Sequence, residues 1–146
     1  EFVPLINGLT AVIASDDEIN NPMMLGDLIV KNKVDIMTST PTYVSNIIDI
    51  PQLKEAMAQI KVFDLGAEAF PPALYDKIRT VNPDVYIMNG YGPTETTISC
   101  TMKVITDSKN ITIGVPNGNV KVYIVDKENK ILPDGETGEL VVAGME

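Results

Sequence analysis

The chain reads as an α/β protein: a parallel-type sheet covered by helices, followed by a small antiparallel β subdomain. Three observations predict this. Short apolar runs alternate with helical patterns from residue 10 to about residue 100. From about residue 111 the texture turns to hairpins without helices. A composition of 45% hydrophobic and 21% charged residues over 146 positions is globular and long enough for one real core.

The β-like runs of the first part are Thr10–Ala14, Val34–Thr38, Lys61–Leu65 and Val85–Met88. Between them Met24, Leu25, Leu28 and Ile29 recur at helical spacing, as do Leu74, Ile78 and Val81. Pro51 and the pair Pro71-Pro72 mark helix starts. Further on, Val120, Val122 and Ile124 alternate with polar or aromatic neighbours. Turns at Asp126–Asn129 and Leu132–Gly138 follow, then a strand over Glu139–Ala143. The expected division is an α/β part at 1–106 and a β-rich part at 107–146.

Several function classes are excluded. Apolar runs fall far short of a membrane span. Eleven basic against twenty acidic residues give a formal charge of −9, which argues against nucleic acid or an anionic membrane as partner. An anionic ligand therefore needs backbone amides, a metal, or cations from elsewhere. Cys100 is the single cysteine and histidine is absent, so no internal disulfide, histidine-ligated metal or Ser-His pair exists in this chain. A lone cysteine in an apolar stretch fits a small buried hydrophobe and a reducing, cytoplasmic setting. Glu1-Phe2 enters directly on an apolar run and Gly144-Met145-Glu146 follows directly on a strand, which reads as a piece of a longer protein.

The most informative stretch is Asn89-Gly90-Tyr91-Gly92-Pro93-Thr94-Glu95-Thr96-Thr97, directly after the run Val85–Met88. Glycine permits close backbone approach, and Pro93 suits the first turn of a helix. Hydroxyls and backbone N–H groups at a helix start favour an anion. Ligands of parallel sheets bind at the carboxyl ends of strands, where this stretch falls. Glu95 beside phosphates needs a metal cation between them. The alternative is an ordinary strand-to-helix turn capped by threonine. Taken singly, Tyr91 also fits a packed aromatic, Glu95 a solvated or capping carboxylate, and Glu68 an acid beginning a helix.

Together with Gly114-Val115-Pro116, Gly135–Leu140, Ser39–Tyr43 and Leu65–Ala69 in the same order, this run resembles the adenylate-forming superfamily. Within it the chain is most similar to an amino-acid-activating adenylation domain of a nonribosomal peptide synthetase. The resemblance implies ATP, AMP and Mg²⁺ as cofactors, an amino-acid substrate, and a phosphopantetheine thiol on a peptidyl carrier domain as acceptor. By matching positions it implies that Asn89 bonds the adenine amine and that Tyr91, between Gly90 and Gly92, lies against the ring. Gly66, Ala67 and Glu68 would flank its other face. Thr94 would donate to the α-phosphate and Glu95 would hold Mg²⁺, these two being the catalytic positions.

The same resemblance places Thr38, Asp64, Gly66, Gly90, Ile98 and Ser99 along the amino-acid pocket. Asp64 then either meets a cationic or hydrogen-bonding substrate side chain, or turns to solvent or a structural hydrogen bond. Which amino acid is activated is not legible. The family's phosphate loop, ribose-binding aspartate and catalytic lysine have no counterpart here, so the isolated chain is expected not to adenylate. Two other readings stand beside this one: part of a stand-alone acyl- or aryl-CoA ligase, and a non-catalytic structural or interaction segment.

Overall fold

The computed structural model describes residues 2–144; Glu1, Met145 and Glu146, on which the reading of the two ends partly rests, lie outside the described residues. The helices are α1 (Phe2–Ile6), α2 (Asp16–Asn20), α3 (Pro22–Asn32), α4 (Pro41–Ile47), α5 (Lys54–Gln59) and α6 (Pro72–Val81). The strands are β1 (Ile36–Ser39), β2 (Val62–Gly66), β3 (Tyr86–Tyr91), β4 (Thr101–Val104), β5 (Val115–Pro116), β6 (Lys121–Val125) and β7 (Glu139–Ala143).

Local chemistry sets most boundaries. Ser15 and Glu18 close a reciprocal capping box on α2. Asn21 accepts from Met23 N at 3.0 Å and Pro22 takes the first position of α3. That helix stops where Lys33 turns left-handed at φ 51°. Thr40 caps α4 by accepting from Tyr43 N at 3.3 Å, again with proline first.

Five strands form one sheet in the order β1-β2-β3-β4-β5, and β6 and β7 form a second, antiparallel pair. β1, β2 and β3 are parallel, with Thr38 beside Asp64 beside Met88 and Gly66 beside Gly90. β4 and β5 join antiparallel, so the first sheet runs to Pro116, past the 106/107 division read from texture. The strand expected at Thr10–Ala14 is absent: this stretch is irregular, with Ile13 67% exposed and no strand beside it to pair with.

Sequential strand order with right-handed crossovers puts α4, α5 and α6 on the same side of the sheet. Accordingly Phe63, Leu65 and Ile87 point into one core with Leu25, Ile29, Val44, Leu53, Met57, Leu74 and Ile78. The opposite face carries Ile36, Thr38, Asp64, Gly66, Tyr86, Met88, Gly90 and Val104. Ile36, Tyr86 and Val104 there are 52%, 61% and 42% exposed.

One buried amide ties the helical layer together. Asn82, at the end of α6, donates through Nδ2 to the carbonyls of Met57, Ala58 and Ile60 at 3.1, 3.0 and 2.7 Å. These carbonyls end α5 and have no helical partner of their own. Asn82→Ala is expected to cost about 2–3 kcal/mol, since buried acceptors lose their donor. Urea unfolding checks this, and a loss under about 0.5 kcal/mol would show that water replaces the amide.

Candidate functional site

β2 and β3 end side by side, and the chain after them forms a cleft of about 470 Å³. One wall is Ala67, Glu68, Ala69 and Phe70, and the other is Ile111, Thr112 and Ile113. Asn89, Gly90, Tyr91 and Gly92 run between. The predicted residues Ala67, Glu68, Asn89, Gly90, Tyr91 and Gly92 are thus brought together at the carboxyl ends of parallel strands.

The backbone of this region is tight. A Cβ on Gly66 would stand 2.7 Å from the Gly90 carbonyl oxygen. One on Gly92 would stand 2.5 Å from the Ile98 carbonyl oxygen. Ala67 holds φ 67° without being glycine, a conformation that needs support from its surroundings. Tyr91, 37% exposed, is among the residues that line the cleft.

Asn89 is 6% exposed, and its Nδ2 donates to the Thr112 carbonyl at 2.9 Å. Of the two ends of the side-chain amide only the nitrogen can donate to a carbonyl, so this bond fixes which way the amide faces. Oδ1 is left as an acceptor. The Ile111–Ile113 wall was missed by sequence reasoning, which saw there only a boundary between two textures. Its apolar Ile111 and Ile113 around a threonine were the available signal.

The helix expected after Pro93 is a single 3₁₀ turn, Thr94–Thr96, with Pro93 in the capping position. Thr97 and Ile98 then take φ 49° and 85°, which ends any helix. So short a turn carries no appreciable dipole, and the expected helix-start contribution to anion binding falls away. The Thr96 hydroxyl donates to the Pro93 carbonyl at 3.0 Å. Thr94 and Glu95 are exposed, and Glu95 borders a second hollow of about 260 Å³ with Thr96, Thr97 and the end of β7. No group of three carboxylate, histidine or cysteine ligands occurs among the described residues. A lone solvated carboxylate such as Glu95 suits Mg²⁺ shared with phosphate oxygens, which needs only one or two protein carboxylates.

Glu68 does not begin a helix, since α6 starts at Pro72. Its carboxylate accepts from Thr42 N at 3.1 Å. Hydrogen bonds from the Thr42 hydroxyl and backbone, with a smaller one from Thr40, hold it below the ordinary 4.5.

Of the predicted pocket positions, Thr38, Asp64, Gly66 and Gly90 share the open face of the sheet. Ser99 joins them, its Oγ 3.5 Å from where a Gly90 Cβ would be, and Asn117 donates to its carbonyl at 3.0 Å. Ile98 stands apart, 87% exposed. Burial pushes the half-buried Asp64 carboxyl above 3.8, opposed by the Thr38 hydroxyl. The raised value means that its stability contribution is full below 3.8 and lost as pH rises through the folded-state value. None of the salt bridges among the described residues includes Asp64.

The geometry has counterparts in known proteins. A family model described as "AMP-binding enzyme" matches residues 1–146. Gramicidin S synthase 2 of Brevibacillus brevis is 33% identical over 144 residues, covering 98% of this chain and 3% of the relative. D-alanine--D-alanyl carrier protein ligase of Bacillus velezensis is 32% identical over 149 residues, covering 98% of this chain and 30% of the relative. The chain thus spans a minor part of the relatives it matches. A four-domain nonribosomal peptide synthetase, holo-AB3403 bound to AMP and glycine, superposes with a TM-score of 0.84 at 27% identity, over 97% of this chain and 10% of that one. CmiS6 shares the fold, with a TM-score of 0.86 at 19% identity over 96% of this chain and 35% of its own.

Proposed function

The chain belongs to the AMP-binding enzyme family, and from that membership we propose that it forms part of an amino-acid-activating adenylation domain in nonribosomal peptide synthesis. None of the described helices is long and apolar enough to cross a membrane; the cytoplasmic setting we propose rests on the single cysteine, Cys100, free and buried. In the reaction, a substrate carboxylate oxygen attacks the α-phosphorus of ATP, and pyrophosphate leaves. The thiol of a carrier domain's phosphopantetheine then takes the aminoacyl group and releases AMP.

The observation that carries this reading is the fixed amide of Asn89. With Nδ2 committed to the Thr112 carbonyl, Oδ1 is presented as an acceptor, matching the exocyclic amine of adenine. Tyr91 offers a ring face to the base, and Ala67 on the other wall is small enough to let it in. Thr94, exposed and outside the residues that line the cleft, would donate to the α-phosphate. Glu95 would hold the Mg²⁺ that neutralises the phosphates when bound. Catalysis then rests on in-line positioning and charge neutralisation.

On the open sheet face Asp64 selects the substrate side chain, its carboxylate being half-buried, without a salt-bridge partner among the described residues, and beside the small residues Gly66 and Gly90. The test is substrate-dependent exchange of pyrophosphate into ATP by the intact protein across a panel of amino acids. Exchange is expected with amino acids whose side chains are cationic or donate hydrogen bonds. Asp64→Ala should lower kcat/KM for the preferred one by about tenfold or more, the worth of a hydrogen bond to a charged group. An unchanged preference removes the role of Asp64. Exchange with acyl or aryl acids alone, and none with amino acids, overturns the amino-acid reading.

A further inference from the structure

We propose that Glu68 is a positioning residue that sets the cleft by fastening the loop after β2 to the first turn of α4. This rests on the reading of the cleft as a nucleotide site. The first N–H groups of any helix lack partners within it. In α4 they are shared between two acceptors: the Thr40 hydroxyl takes Tyr43 N, and the Glu68 carboxylate, 26 residues along the chain, takes Thr42 N at 3.1 Å. The residue borders the cleft, yet its carboxylate is engaged on the helix.

The loop therefore has two anchors. Phe70, 6% exposed, is packed in the hydrophobic core, and Glu68 is tied to α4. Between β2 and these anchors lies Ala67, held at φ 67°. An unsupported alanine leaves that conformation, and the wall facing Asn89 and Tyr91 would move with it. α4 follows β1 directly, so the bond also joins the carboxyl ends of β1 and β2. Glu68 is exposed and forms no salt bridge among the described residues, and its partners there are the hydrogen-bond donors Thr42 and Thr40 at the start of α4.

Three variants in the intact protein separate reach from charge. Glu68→Gln keeps an oxygen at the same reach, Glu68→Asp keeps the charge but is a methylene shorter, and Glu68→Ala removes both. AMP binding by calorimetry and the KM values for ATP and amino acid are measured for each. The alanine and aspartate variants are expected to bind AMP about tenfold more weakly and to raise the ATP KM equally, with kcat and the amino-acid KM within about twofold. The glutamine variant should stay within about threefold of the parent. Faster hydrogen exchange at the Thr42 amide, expected in the alanine and aspartate variants alone, follows the bond itself.

If glutamine weakens AMP as much as alanine while aspartate does not, the charge acts on the ligand and the proposal is overturned. Unchanged AMP affinity in all three overturns it as well, leaving the nucleotide reading intact. If the parent protein itself binds neither AMP nor ATP, it is the nucleotide reading that falls.

Discussion

Gly92→Ala is expected to lower nucleotide affinity by about a hundredfold. The space that a Cβ would need is filled on two sides: the Ile98 carbonyl oxygen lies 2.5 Å away and the Ser99 Cα 2.7 Å away. Both belong to main chain, so no side chain can swing aside to make room. The segment from Tyr91 to Cys100 would have to open by the better part of an ångström, and it is pinned by Cys100 N donating to the Tyr91 carbonyl at 2.8 Å. A misplacement of that size in a binding constellation costs about two orders of magnitude. Calorimetric titration with AMP would register it, and affinity within about threefold of the parent would show that the turn is more compliant than drawn.

Phe63→Ala is the second large effect, and it acts on stability. Phe63 is fully buried on β2, the strand flanked by β1 and β3, and faces the helical layer with Leu65 and Ile87. Removing a buried phenyl ring loses its transfer free energy and leaves a cavity, together about 3–5 kcal/mol. Domains hold only about 5–15 kcal/mol in all, so the variant should sit near its unfolding threshold. Phe63→Leu, which keeps most of the volume, should cost under about 1.5 kcal/mol. Urea unfolding of the pair decides it: losses of similar size would mean that the site collapses around the smaller residue.

What could be read from the amino acids was what neighbours in sequence decide. Periodicity located α3 and α6, proline placed the starts at Pro51 and Pro72, and alternation located β6 and β7. The parallel strands near 36, 62 and 86 followed from apolar runs between helices. Thr10–Ala14 has the same local character but no strand to pair with, and a strand exists only as half of a ladder. The helix after Pro93 failed because Thr97 and Ile98 turn left-handed, where β-branched residues give no warning.

The candidate site divides the same way. Asn89, Gly90, Tyr91 and Gly92 were legible because they are contiguous. The Thr112 carbonyl that aims Asn89, and the Thr42 amide that holds Glu68, lie 23 and 26 residues off, and no local pattern announces either bond. Register alone brings Thr38 beside Asp64, and sequence spacing does not determine register between distant strands.

The crowding at Gly66 and Gly92 has an evolutionary consequence. At both positions the volume of a first side-chain carbon is occupied by a carbonyl oxygen, of Gly90 and Ile98 respectively. The frame of the site is therefore drawn by main chain on main chain, and it is inherited as long as those glycines are. The side chains of Thr38, Asp64 and Ile98 hang on that frame without building it, that of Ile98 projecting into solvent. Side chains placed in that way can be exchanged one at a time without disturbing the main-chain frame beneath them.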